Sequence, residues 1–334
     1  MSKPMIGVSY PGVSERHIGP IREMAEKYGY DVKFGLDAWE VGEEKGSPKE
    51  WYQGCEILFG YPEPTWIRDF KDLKWLQSDA DGIEEVLKPG NLPDHVLFTN
   101  GTGAYGKTIA EHTICQLLML FKRAYQYHEN QKIGKWKVEG RVPTIEGSIF
   151  TIVGFGDLGK HIAKCLRPFD PAEIRGVKRT AGEKPDYIDA LYTTEDLDLA
   201  IKDADVVILC LPGIPATNNI YNRDRIFGMK KGSYILNVAR STVWDQDAVI
   251  EALEQGHLAG VHTDVAHPEP LPADSPLWYA PNIIVTPHSA GGLVSEKNID
   301  RCVEIFLNNL EAYCEGKPLK NVVDRKNKYG SVKQ

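Results

Sequence analysis

No two cysteines of the sequence stand at C-x-x-C spacing. The six present (Cys55, Cys115, Cys165, Cys210, Cys302 and Cys314) are scattered, most of them in apolar stretches. This argues against a disulfide framework and predicts reduced, buried thiols. Positive charge is not in excess either. With 39 Lys and Arg against 47 Asp and Glu, a net charge of -8 and a pI near 5.7, the chain offers no general basic face to nucleic acid or to an anionic membrane. Its longest apolar run, Ile114 to Phe121, is broken by Gln116 and stops at Lys122-Arg123, too short to span a bilayer. No basic segment leads into an apolar signal at the start, so cytoplasm is the expected compartment. Internal repeats and low-complexity segments are absent. What remains is ordinary globular composition, 42% hydrophobic and 26% charged over 334 residues, a length that predicts two domains.

What is present first is alternation. From Met5 to Asn100 short apolar runs (Met5 to Val8, Val32 to Phe34, Ile57 to Gly60, Leu73 to Leu76, Val96 to Thr99) alternate with helix-like segments such as Ile18 to Tyr28. Strands alternating with helices predict a parallel sheet covered on both faces, hence a first α/β domain. The loop Gln77 to Gly82 follows one of these strands and leads into a predicted helix over Ile83 to Leu87. Ligands on open parallel sheets bind at strand carboxyl ends, so the amides around Asp81 and Gly82 read as an anion site or as an ordinary loop. After the turn-rich Gly101 to Gly106, a long helix is predicted from about Lys107 to Gln131, apolar almost all round as burial between domains or subunits requires. Glu111-His112 near its start reads as packing and capping in preference to an acid/base pair.

The organising stretch is Phe150 to Leu166. A β-branched run ends at Gly154, the glycines Gly154, Gly156 and Gly159 fall at G-x-G-x-x-G spacing, and a helix-period segment follows until Pro168. The first glycine allows a tight turn, the second lets backbone approach a pyrophosphate, and the third lets helix pack on strand. The helix amino terminus, from Asp157 and Leu158, can then hold phosphates. About 20 positions further on, an NAD-binding fold places an acidic residue on the ribose 2′-hydroxyl. This chain has Lys178-Arg179-Thr180 there. Two cations and a hydroxyl pair with a 2′-phosphate that a carboxylate would repel, so NADP(H) is expected over NAD(H), a solvated basic turn being the plainer reading.

Further strands are predicted at Ala204 to Leu211, stopped by Pro212-Gly213, and at Tyr234 to Val238, Gly260 to Val265 and Asn282 to Thr286. Just past the last three stand Ala239-Arg240, Pro268-Glu269-Pro270 and Pro287-His288. If those strands are parallel neighbours, a cation, a carboxylate and an imidazole converge on the crevice that the glycine loop borders. The set suits hydride transfer to a 2-oxo acid. Histidine has the pKa to deliver a proton as hydride arrives, and a carboxylate on its other ring nitrogen fixes the tautomer and raises that pKa. Arginine presents a fork of donors to the substrate carboxylate and polarises the keto oxygen. His257, His262 and His267 recur every five residues, but a turn and a strand separate their directions, and no metal is expected.

These residues carry a resemblance, from about Leu73 to Gly292, to the D-isomer-specific 2-hydroxyacid dehydrogenases. Its pieces are Gly154 to Gly159, Leu236 to Arg240, Asp264-Val265 with Pro268 to Pro272, Ser275 to Trp278, and Thr286 to Gly291. The resemblance implies two doubly wound parallel-sheet α/β domains, a Rossmann nucleotide-binding domain of about 102–289 inserted in a flavodoxin-like substrate domain of about 1–101 plus 290–334. It implies that Arg240 binds substrate, Glu269 supports the histidine and His288 is the acid/base. It also implies cofactor contacts at Leu158, Gly159, Leu211, Pro212, Thr217, Val238, Ala239 and Asp264, completed by Asp157, Arg240, His288 and Gly291, with substrate carboxylate held by amides near Asp81 and Gly82. Members are usually homodimers through the long-helix region.

The Lys178-Arg179-Thr180 segment looks like the NADPH-preferring glyoxylate/hydroxypyruvate reductase branch. Ser241 in place of a common glycine, Trp244 of a small aliphatic, and Ala266-His267 of an aromatic-acidic pair bear on substrate size. The expected function is therefore NADP(H)-dependent reduction of a small 2-oxo acid such as glyoxylate or hydroxypyruvate to a D-2-hydroxy acid. An NAD-linked dehydrogenase of a bulkier acid is the alternative within the class. A dinucleotide-sensing, corepressor-like binding protein is the alternative outside it, disfavoured because all three side chains are retained. A formate dehydrogenase-like role is disfavoured because that branch carries glutamine where Glu269 stands. The polar tail from Arg325 is expected to fray.

Overall fold

The computed structural model describes residues 3–35, 38–40, 43–45 and 47–325, so all of the tail but Arg325 lies outside the described residues. The chain divides into two compact units, Met1–Tyr105 with Gly292–Gln334, and Gly106–Gly291. Each is an α/β unit built on a parallel sheet.

The first unit runs through β1 (Met5–Ser9), α1 (Glu15–Lys27), β2 (Asp31–Phe34), a short antiparallel hairpin of β3 (Ala38–Glu40) and β4 (Glu43–Lys45), β5 (Cys55–Gly60), β6 (Trp75–Gln77) and β7 (Leu97–Thr99). Its five-stranded sheet has the order β2-β1-β5-β6-β7. The carboxyl-terminal helix Glu296–Cys314 returns to this unit, burying Ile299, Cys302, Val303, Phe306 and Leu310 at helical spacing. Phe306 stacks on Phe59 of β5 at 4.5 Å between ring centres. The predicted helix over Ile83 to Leu87 is instead a single turn, closed by Leu87 N–H donating to Ile83 O at 3.2 Å. It is too short to propagate before Pro89-Gly90.

The second unit opens with α2 (Gly106–Phe121) and α3 (Ala124–Lys132), where one continuous helix was expected. The break is at Arg123, whose φ of +53° is left-handed and cannot continue a right-handed helix. The sheet strands are β8 (Ile149–Val153), β9 (Glu173–Lys178), β10 (Ala190–Thr193), β11 (Val206–Leu209), β12 (Ser233–Asn237), β13 (Leu258–Thr263) and β14 (Ile283–Val285). Between them lie α4 (Asp157–Leu166), α5 (Leu197–Ile201), α6 (Arg223–Gly228) and α7 (Gln246–Glu254). β11 is buried along its whole length because helices cover both faces. Ile162, Ala163 and Leu166 of α4 pack with Phe150 and Ile152 on one side. Val249, Ala252 and Leu253 of α7 share a core with Val207 and Leu209 on the other. Each fully buried Val, Leu or Ile among them contributes about 1.5–3 kcal/mol.

The spatial order β10-β9-β8-β11-β12-β13-β14 decides where a ligand can sit. The chain winds outward from β8 in one direction and from β11 in the other, so the reversal falls between them, and a crevice opens outside their carboxyl ends. All neighbours are parallel, and the register aligns Val153, Leu209, Asn237, Thr263 and Val285 in one row across five strands. Whatever follows each of these residues emerges along one edge of the sheet.

Candidate active site

The glycine turn occupies the start of that edge. Gly154 has φ +101°, and a Cβ there would lie 2.5 Å from Cys210 O at the end of β11, so only glycine fits. At Gly159 a Cβ would stand 2.8 Å from Gly154 O, which is how α4 comes so close to the strand. Helical bonding of α4 to the turn starts with Lys160 N–H to Gly156 O at 3.1 Å, leaving the amides of the preceding turn, around Asp157 and Leu158, without helical acceptors. A cradle that side chains would fill, beneath a helix amino terminus, fits a pyrophosphate. Leu211 and Pro212 follow β11 across the reversal. Thr217 Oγ1 donates to Pro212 O at 2.5 Å and accepts from Ile214 N–H at 3.1 Å, fastening that loop. Lys178 ends β9, and Arg179 and Thr180 lie exposed just beyond it.

Three strand ends further along carry the chemistry-bearing side chains. After β12, Val238 and Ala239 are buried, and Asn237 Oδ1 accepts from Ala239 N–H at 3.0 Å. Arg240 Nη1 donates back to Ala239 O at 2.8 Å, and its stem lies against Gly213, where a Cβ would be 2.9 Å from Arg240 Cγ. After β13, the turn from Ala266 to Pro270 folds on itself: Glu269 Oε1 accepts from Ala266 N–H at 2.9 Å. The other oxygen, Glu269 Oε2, meets His288 Nδ1 at 2.9 Å. A carboxylate only accepts, so Nδ1 carries the hydrogen and Nε2 is the nitrogen left for another partner.

His288 itself sits at φ +52°, a left-handed conformation that costs about 1–3 kcal/mol in a non-glycine residue. Its N–H donates to Asp264 O at 2.8 Å. The buried Asp264 carboxylate holds the rest of the segment, accepting from Thr286 Oγ1 at 2.6 Å, Ser289 N–H at 2.9 Å and Ala290 N–H at 3.0 Å. Those amides and the hydroxyl keep the strand end in its strained shape.

Electrostatics follow the geometry. The hydrogen bond that His288 donates to Glu269 raises the His288 pKa above its usual value, against burial and the Arg240 guanidinium, which pull it down. Burial pushes the Glu269 carboxyl up, but the bond from His288, the Ala266 amide and the Arg240 charge outweigh it and hold the group below the usual carboxylate range. Arg240 thus acts on both partners. The sign of the linkage is opposite for the two. The His288 contribution to stability is complete below the ordinary imidazole value of about 6.5 and is lost as pH rises through the raised folded value; the Glu269 contribution is complete above about 4.3 and is lost as pH falls through the lowered one. The charged pair is therefore intact between the lowered Glu269 value and the raised His288 value.

The remaining residues singled out above are placed as follows. Asp81 and Gly82 belong to the first unit, where Thr102 Oγ1 donates to Asp81 Oδ1 and Asn100 Nδ2 donates to Asp81 O at 3.4 Å. Gly291 closes the second unit. His257 contacts Ile226 O, His262 is buried within β13 and His267 is exposed, so their directions diverge. Among the described residues no group of three His, Cys, Asp or Glu gathers as a metal site, and no helix is long and apolar enough to cross a membrane. One contact was not anticipated. His112 of α2 approaches Thr286 Oγ1 at 3.4 Å and Asp264 Oδ1 at 3.9 Å, with its ring 5.2 Å from that of His262. Burial lowers the pKa of His112 and pushes that of His262 down to about 3, so both are neutral packing partners behind the strand ends near neutral pH.

The same fold recurs among known proteins. The family model for the D-isomer specific 2-hydroxyacid dehydrogenase NAD binding domain matches residues 114–290. A formate dehydrogenase of Neurospora crassa is 31% identical over 325 residues, 92% of this chain and 84% of that protein. A glyoxylate reductase of Thermofilum pendens is 27% identical over 250 residues, 73% of each. The crystal structure of a D-isomer specific 2-hydroxyacid dehydrogenase family protein from Aeromonas salmonicida superposes with a TM-score of 0.81 at 26% identity, covering 97% of this chain and all of that one. The relatives thus include both formate dehydrogenases and glyoxylate reductases, and the glyoxylate/hydroxypyruvate branch does not follow from them. The matched span contains the glycine turn and all three strand ends, and the chain belongs to the D-isomer-specific 2-hydroxyacid dehydrogenase family as an NAD(P)-binding α/β oxidoreductase.

Proposed function

We propose that the protein reduces a small 2-oxo acid, of the size of glyoxylate or hydroxypyruvate, to the D-2-hydroxy acid with NADP(H). The observation that carries this reading is the Glu269 to His288 hydrogen bond of 2.9 Å, formed under the influence of the Arg240 guanidinium. A carboxylate-supported imidazolium is a proton donor poised near neutral pH. The bound dinucleotide supplies the hydride. Arg240 binds the substrate carboxylate and polarises the keto oxygen, and His288 Nε2 gives that oxygen its proton. Glu269 stabilises the charged ring and fixes its tautomer. The amides at the head of α4 would hold the pyrophosphate, with Leu211, Pro212, Thr217, Val238 and Ala239 lining the same strand-end edge.

The similarity to formate dehydrogenases raises a second reading, and Glu269 weighs against it. Oxidising formate to carbon dioxide moves a hydride with no oxygen to protonate, so a carboxylate that holds its imidazole charged serves no purpose there. It serves one in reducing a carbonyl.

Lys178, Arg179 and Thr180 support NADP(H), because two cations and a hydroxyl follow β9 at the position where an NAD-binding fold carries an acidic residue. Replacing Lys178 and Arg179 together by Ala is expected to raise KM for NADPH by about 10-fold or more while leaving KM for NADH nearly unchanged, the loss of charge-assisted bonds. A panel of glyoxylate, hydroxypyruvate, pyruvate, phenylpyruvate and branched 2-oxo acids, run with each cofactor, tests both substrate and cofactor. Better kcat/KM with NADH, or with phenylpyruvate, would overturn the corresponding assignment.

We also propose a homodimer. Ile133, Trp136 and Val138, just after α3, are 73%, 103% and 76% exposed, three apolar side chains interleaved with Lys135 and Lys137 that a second copy would cover. Light scattering should give twice the chain mass of 37.4 kDa; a monomer at micromolar concentration would refute it.

A further inference from the structure

Gln246, the first residue of α7, reaches across to the turn that carries Glu269. Its Nε2 donates to His267 O at 3.3 Å, and its Oε1 accepts from His267 N–H at 3.2 Å. Among side chains uncharged at neutral pH, a carboxamide is the group that donates and accepts side by side in this way. His267 lies two residues before Glu269, and the carboxylate is tied to the same turn by the Ala266 amide at 2.9 Å. Packing fixes the ends of the turn but not its apex: Ala266 is buried with Ile250 and Leu277, Leu271 packs against them, and residues 267–270 are exposed. On the side of the clasp, Gln246 and His267 line an open cavity of about 490 Å³ together with Ser241 and Trp244.

We propose that Gln246 is a positioning residue: by holding the His267 peptide from both sides, it sets where Glu269 presents its carboxylate to His288. The proposal rests on the reading of Glu269 and His288 as the proton-transfer pair. The charged groups that act on His288 are Glu269, Arg240 and Asp264. Arg240 and Asp264 stand on their own strand ends with no bond to Gln246, so losing the clasp changes the Glu269 contact alone. Asp245 and Asp247 flank Gln246 on its own segment, and neutral replacements leave their charge as it is.

The test uses Gln246→Met, which removes both bonds at similar size, and Gln246→Asn, which keeps the carboxamide on a stem too short to reach. For both variants the alkaline limb of kcat/KM for 2-oxo acid reduction should move toward acid by about half a unit. Reduction kcat should fall about 3- to 10-fold with KM for NADPH unchanged. The His288 ring titration, followed by NMR without substrate, should shift by the same amount as the limb. Glu269→Gln alone should shift both further, and adding Gln246→Met to it should change nothing more, because the second residue acts through the first. A lowered thermal midpoint with an unmoved limb and ring titration would make Gln246 merely structural and overturn the proposal, as would additivity with Glu269→Gln. An unmoved His288 titration in Glu269→Gln itself would bring down the proton-transfer reading and this proposal together, whereas a shift there with none in the Gln246 variants rejects Gln246 alone.

Discussion

Replacing His288 with Ala is expected to lower kcat for 2-oxo acid reduction by roughly 100-fold or more, the loss of a positioned general acid. The expectation is specific because the ring is held by Glu269 and not by packing: its side chain is 51% exposed, so removing it opens no cavity in the core. The backbone conformation should survive, since His288 N–H, Ser289 N–H and Ala290 N–H are all bonded to Asp264 and none of these bonds involves the imidazole. The thermal midpoint and far-ultraviolet circular dichroism should stay near wild type, which separates lost chemistry from lost structure. The alkaline limb that His288 gives the wild-type rate should also disappear. Near-normal turnover in the variant would remove His288 as the acid.

Arg240→Lys is expected to reduce kcat/KM for the 2-oxo acid by about 100-fold, through a higher KM and a lower kcat together. Lysine keeps the charge but not the fork. A guanidinium can grip a carboxylate with two parallel bonds while a further N–H faces the keto oxygen; an ammonium on a flexible stem must choose. Arg240 is also braced by its bond to Ala239 O and by its contact with Gly213, and lysine cannot reproduce that bracing. Steady-state kinetics with varied acid at saturating NADPH reads the effect. Wild-type kcat/KM in the lysine variant would mean that Arg240 supplies only field, not geometry.

How much of this was legible beforehand depends on the range of the forces involved. The glycine turn was readable because each glycine answers a local need, a left-handed φ at Gly154 and a close approach at Gly159. The strand β11 was readable because its continuous apolar run marks burial on both faces. β10 was not, since Ala190–Thr193 is an edge strand, half-buried throughout and without such a run. The break at Arg123 was hidden because arginine carries no preference for the left-handed conformation it adopts there. At the site, Arg240, Glu269 and His288 could be nominated because each follows a strand. The clasp of Gln246 on His267 and the approach of His112 to Thr286 could not, since 21 and 174 residues separate the partners and neither residue type announces a role. Asp264 was expected only as a cofactor contact, yet its oxygens accept from Thr286, Ser289 and Ala290, a duty visible only in three dimensions.

The single row of strand endings has a consequence for how such a molecule can be altered. Segments leaving the sheet beyond Val153, Leu209, Asn237, Thr263 and Val285 all emerge at one rim, where changes in their length and composition leave the paired strands beneath them undisturbed. Turns at the opposite rim, such as those at Gly147 and Gly232, are remote from that end and suit insertions beside the glycines, whose own φ of +73° and +84° would strain any side chain placed on them.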